Sequence, residues 1–149
     1  INEFEKPKLI WQRVCKRPNF VLDTENKYYI IDSMVFLTLK TQKEYLLEYL
    51  LMILNSNVIE WYLKRIGHKL GKTGFLLSNQ YVNKLPIPFT SLENQQKIKQ
   101  SVNKLIALKS DKNADTDLIS YYENQLNKEV YTLFKLNLDE INIIEEELN

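Results

Sequence analysis

The sequence predicts an α+β chain: a small, mainly antiparallel sheet with packed helices, followed by a C-terminal helical hairpin and a short last helix. Three observations lead there. Short β-branched and aromatic runs fill the first 40 residues, as strands do. Four Ser/Thr/Asn-type residues stand three positions before a glutamate, the spacing of a helix-capping box. After the prolines of LPIP, Leu85–Pro88, apolar residues recur at helical spacing.

Taken in order, KLIWQRV (Lys8–Val14) alternates weakly and reads as a strand, and FVLD, YYIID and MVFLTL follow as further short strands between polar turns. DTEN, Asp23–Asn26, has the residue chemistry of a hairpin connection. In TQKE, Thr41 and Glu44 match a capping box, and the helix they open, through about Leu54, is apolar nearly all round and should be buried. Asn57 and Glu60 predict a break and a second helix carrying Trp61 and Tyr62. LPIP cannot lie inside a helix or a central strand, because proline lacks the N–H and pushes its predecessor towards an extended conformation. It reads as the joint between a body, residues 1–89, and a helical arm, residues 90–149. Thr90 and Glu93 open the arm, and Ile98, Val102, Leu105 and Ile106 line its first helix. DKNAD, Asp111–Asp115, is the turn, Tyr122, Leu126, Val130 and Leu133 make the second stripe, and Asn137 with Glu140 opens the last helix.

Composition narrows the function classes. At 149 residues and 44% hydrophobic content the chain supports one cored domain. It has no apolar run long enough to span a membrane, and the polar INEFEKPK lacks the apolar segment of a secretory signal. One cysteine and one histidine do not make a disulfide or a zinc site, so Cys15 is expected as a core or half-buried residue and His68 has no partner ligand nearby. A cytosolic chain is expected, and the absence of an initiator methionine suggests a piece of a longer protein. The net charge of +1 conceals an asymmetry: residues 1–89 carry 13 basic and 8 acidic side chains, residues 90–149 carry 7 and 11. A polyanion partner for the body and a protein partner for the arm would suit that division, as would plain solvated surfaces.

Two basic elements are candidates for contact with a polyanion. In GHKLGKT, the glycines allow close backbone approach, and His68, Lys69, Lys72 and Thr73 offer cations and donors; the alternative is a helix C-cap at Gly67 followed by a solvated loop. The spacing is one residue short of a nucleotide phosphate loop and follows a helix where a strand is required. In QRVCKRP, Arg13, Lys16 and Arg17 lie at a strand end, where long side chains reach phosphates or guanine edges, or serve solubility alone. Gln12 and Asn79, with Gln80, have the amides that read adenine edges, although amides are also common in turns. Asp23, Glu25 and Lys27 resemble a nuclease core in composition, but all three fall in one predicted turn, which is the better reading. The tyrosine pairs Tyr28–Tyr29 and Tyr121–Tyr122 are each expected to put one ring into the core.

The order KPKLIWQRV, RPNFVLD, LMILNSNVIEWYLKR, GHKLGKTGFLLSNQYVNKLPIP and EVYTLFKLNLDEINIIEEEL resembles the TaqI-like C-terminal specificity domain. That family supplies DNA target recognition to fused restriction and adenine-methyltransferase enzymes of the type IIG kind, and is similar to the target-recognition domains of type I specificity subunits. The resemblance implies double-stranded DNA as partner, contacted through Gln12, Arg13, Lys16, Arg17, His68, Lys69, Lys72, Thr73 and Asn79. It also implies an upstream methyltransferase or endonuclease domain, or a partner subunit. The Asn-Pro-Pro-Tyr type motif and glycine-rich cofactor loop of such a methyltransferase are not in this sequence. The chain is therefore expected to be non-catalytic and to need no cofactor or metal. The competing expectation is an interaction module whose helical arm docks a partner subunit without touching DNA.

Overall fold

A computed structural model describes residues 2–41, 43–71 and 74–149. The described chain is α+β, with two small three-stranded antiparallel sheets and six helices. The first sheet holds β1 (Lys8–Gln12) at its centre, flanked by β3 (Val21–Asp23) and β4 (Met34–Leu37), both antiparallel to it. The second places β6 (Gly74–Leu76) between β2 (Val14–Cys15) and β5 (His68–Leu70). KLIWQRV is thus divided between the two sheets, with Arg13 as the joint. Its N–H donates to the Ser33 carbonyl at 2.9 Å on the first sheet's side, and its carbonyl accepts the Leu77 N–H at 2.6 Å on the second's.

Leu9 and Trp11 face the main core, where Trp11 packs on Phe20 with ring centroids 5.0 Å apart. The Trp11 indole N–H donates to the Leu77 carbonyl at 2.7 Å, so Leu77 is held from both sides and locks the sheets together. The segment 24–33 departs from expectation. YYIID is not a strand and DTEN is not a hairpin, because β3 and β4 both pair with β1 and the chain between them must cross it.

Asp23 shapes that crossing. Its buried carboxylate accepts the N–H groups of Glu25, Lys27 and Tyr28 at 3.2, 3.0 and 3.2 Å, while Asn26 adopts a positive φ of 55°. The buried Lys8 ammonium donates to the Asn26 side-chain carbonyl at 2.6 Å, and Glu25 pairs with Lys27 at 2.9 Å. The acids and lysine that resemble a nuclease core therefore build a loop. Burial pushes the Asp23 carboxyl up, but the three N–H donors and the Lys8 charge outweigh it and hold it below the usual aspartate value. A carboxylate of this kind adds stability above its unfolded pKa of about 3.9, and that stability is lost as pH falls through the lower folded value. Asp23→Asn should accordingly reduce stability at pH 7 and flatten its fall below about pH 4 in acid-titrated urea melts. An unchanged acid limb would contradict this role.

Helix α1 (Leu47–Leu54) has all eight of its residues buried, as its apolar character predicts. It begins later than the Thr41–Glu44 spacing suggests, and Leu46 at its N-cap position has no side-chain cap of its own. The N-terminus is held instead by Gln95 of α4 (Leu92–Ser110): Gln95 Oε1 accepts the Leu46 N–H at 2.8 Å, while Nε2 donates to the carbonyls of Glu44 and Thr90 at 2.8 and 3.1 Å. LPIP runs past this joint without regular structure, tied down where the Tyr49 hydroxyl donates to the Pro88 carbonyl at 2.5 Å. Burial pushes the Tyr49 phenol up to about 12, so it remains a donor at any ordinary pH.

Helix α2 (Asn57–Ile66) carries Trp61 and Tyr62 as expected, although its cap is Ser56 rather than Asn57. The arm's first helix is likewise capped one residue later than Thr90, by Ser91. Helices α4 and α5 (Thr116–Leu133) form the predicted antiparallel hairpin, with Lys109 and Glu123 paired across it at 2.8 Å. In α6 (Leu138–Leu148) the Asn137–Glu140 capping box is complete. Glu147 docks that helix on α2 by accepting from the Trp61 indole at 2.6 Å and the Arg65 guanidinium at 2.5 Å. Among the described residues, no helix is long and apolar enough to cross a membrane.

Candidate nucleic-acid interface

The described residues on either side of Lys72 and Thr73 pair as two antiparallel strands. Residues 68–70 and 74–76 pair as β5 and β6, and Gly71 turns the chain with a φ of +67°, which favours glycine. Gly67 ends α2 at the expected C-cap position, where a methyl group would run into the Leu63 carbonyl that its own N–H bonds. Lys72 and Thr73 lie outside the described residues, and of His68 only the backbone is described, in register with Leu76 and, across it, Val14.

The second sheet brings the two basic elements together. Cys15, Phe75 and Lys69 are directly paired across β2, β6 and β5 and so share one face. Lys69 is exposed on the open edge of that sheet. Lys16 follows Cys15 in the bend that ends β2, and it is exposed too. Neither lysine has an acidic partner among the described residues. Gln12, Arg13 and the start of α3 (Asn79–Val82) gather at the other end of β2, about 10 Å from Lys16 by strand rise, because Leu77 is bonded to Arg13. Gln12, Asn79 and Gln80 are exposed there, and Val14 lies between the two ends at 55% exposure.

The remaining two basic candidates are already engaged. Arg13 donates from Nη2 to the Asp32 carbonyl at 2.7 Å, which ties the crossing segment to the joint between the sheets. Arg17 approaches Glu60 of α2 at 3.3 Å, and Glu60 also pairs with Lys64 at 3.5 Å. Arg17 is exposed while Glu60 is buried, and Glu60 keeps Lys64 as a partner if Arg17 turns to another anion. Cys15 is half-buried, and burial raises its thiol pKa, which leaves it a packing residue rather than a nucleophile.

A groove of about 690 Å³ lies apart from the basic sheet, between Phe20–Leu22, Met52 and the Val102–Ile106 stretch of α4. Among the described candidates, Arg17 alone lines it. The expected core positions of the tyrosine pairs also need correction: Tyr28 and Tyr29 are 52% and 93% exposed, since they stand on the crossing segment and not on a strand. Tyr121 is exposed as well, with its half-buried neighbour Tyr122 packed edge-on against it.

No curated protein matches the sequence. Residues 1–87, which hold both sheets, α1 to α3 and every candidate contact, match the TaqI-like C-terminal specificity domain. A domain of that kind points to DNA target recognition in restriction-modification enzymes and is generally non-catalytic. The chain belongs to the TaqI-like C-terminal specificity domain family.

Proposed function

We propose that this chain recognises a sequence in duplex DNA for a restriction-modification enzyme of the type IIG kind, whose adenine-methyltransferase and endonuclease chemistry lies in another part of the protein or in a partner subunit. The observation that carries this reading is Lys69, on the open edge of the second sheet, with Lys16 just past the end of β2, both exposed and without acidic partners among the described residues of the family-matched region. They position the duplex through its phosphates, with His68, Lys72 and Thr73 of GHKLGKT and with Arg17 as further contacts. Gln12 and Asn79, at the other end of β2, reach for base edges in the major groove. Residues 1–89 form the reading body in this proposal, and residues 90–149 form the arm that holds it against the catalytic part, which supplies the other wall of the DNA cleft.

Each phosphate neutralised by a lysine releases counterion, so Lys16→Ala and Lys69→Ala should each flatten the slope of log affinity against log salt by about 0.9. Lys112→Ala, in the turn of the helical hairpin, should leave the slope unchanged. Fluorescence anisotropy on duplexes enriched from a randomised pool supplies the measurement. Equal slopes for the wild type and both sheet variants, with folding intact, would remove the sheet from the interface.

A further inference from the structure

The crossing segment 24–33 holds apolar side chains out in water on a braced frame. Tyr28, Tyr29 and Ile31 are 52%, 93% and 60% exposed, while Ile30 is half-buried. This segment is not slack. Asp23 ties its start through three backbone N–H groups, Asn26 is fixed by Lys8 and by its own bond to the Glu5 carbonyl at 3.1 Å, and Arg13 ties its end through the Asp32 carbonyl. Exposing large apolar side chains on a rigid frame costs hydration free energy with no return in folding, which is the signature of a contact surface.

We propose that Tyr29 and Ile31 form an apolar wedge that contacts the bases of the DNA target, an inference that rests on the reading of this chain as a DNA-recognition domain. Arg13, which anchors the wedge, is the joint from which β2 leads to Lys16, so the wedge and the basic sheet belong to one frame. The charges of the segment argue against a phosphate contact: Lys27 is taken by Glu25, and the exposed Asp32 would repel a phosphate. A ring exposed at 93% is open on both faces, the geometry of stacking on a base rather than of a flat patch for protein docking. The wedge widens or partly unstacks a base step, with Tyr29 stacked on it and Ile31 filling the space beside it, and so reads deformability where the lysines read only charge. Arg13 then serves as a positioning residue.

The test uses the whole 149-residue chain and duplexes enriched on it from a randomised pool, with 2-aminopurine substituted at successive positions. Wild-type binding should raise 2-aminopurine fluorescence at one step. Tyr29→Ala should abolish that rise and weaken binding roughly tenfold with the salt slope unchanged, and Tyr29→Phe should retain both the rise and the affinity. Ile31→Ser should lose part of each. The inference is overturned if Tyr29→Ala leaves affinity intact while Lys16→Ala and Lys69→Ala still flatten the slope. It is also overturned if the Tyr29 variant loses only association with a catalytic part supplied separately, which would make the wedge a protein contact. If no duplex is enriched at all, the DNA-recognition reading fails, and the wedge with it.

Discussion

Trp11→Ala is expected to lower folding stability by about 3–5 kcal/mol, the largest single effect in the molecule. Trp11 is 2% exposed, packs at a tilt against Phe20 and donates to the Leu77 carbonyl across the junction of the two sheets. Truncation opens a cavity between β1 and the helices and also leaves a carbonyl without its donor beside a residue that is 1% exposed. Trp11→Phe separates the two contributions, since it keeps most of the ring and removes the N–H; its cost should be about 1–3 kcal/mol. Urea melts followed by circular dichroism give both values. A cost for Trp11→Ala under about 1 kcal/mol would mean that the sheets are not coupled through this residue.

Gln95→Leu should cost about 2–3 kcal/mol, although leucine is similar in size and apolar. Its amide is fully enclosed and completes the N-terminus of α1 from a different helix. The substitution strands the Leu46 N–H away from water and releases the Glu44 and Thr90 carbonyls, so the α1–α4 contact should loosen first. Hydrogen exchange at the Leu46 amide reads this directly. Exchange should accelerate in Gln95→Leu far more than at amides of α6, and uniform acceleration across the chain would show that the loss is global rather than local.

The difference between what the sequence reveals and what it conceals follows the reach of the interactions. The Asn137–Glu140 box is legible because both of its hydrogen bonds close within four residues. The Asn57 and Thr90 readings are displaced by one position, because Ser56 and Ser91 stand next to them with equal capping chemistry. Thr41 fails altogether, since the partner that holds the start of α1 comes from Gln95, 49 residues on from Leu46. The second sheet is hidden for the same reason: its strands are two or three residues long, and β2 meets β6 only after about 60 residues of intervening chain. Lys16 and Lys69 stand out by charge type, but no local pattern shows that the strand before Lys16 and the strand that holds Lys69 belong to one sheet. Tyr29 and Ile31 were hidden in the opposite sense, since a run of aromatic and β-branched residues predicts burial and only the crossing of β1 leaves them outside.

The two main-chain hydrogen bonds at Arg13 bear on how such a domain changes its target. Both hydrogen bonds that join the sheets there use the main chain, the N–H to Ser33 and the carbonyl to Leu77, and any residue other than proline can supply them. Gln12 also projects from backbone that pairs with Met34 independently of its side chain. The surface proposed to read DNA could therefore drift through many residue combinations without eroding the scaffold, and a lineage could acquire a new target by exchanging side chains while inheriting the main-chain frame.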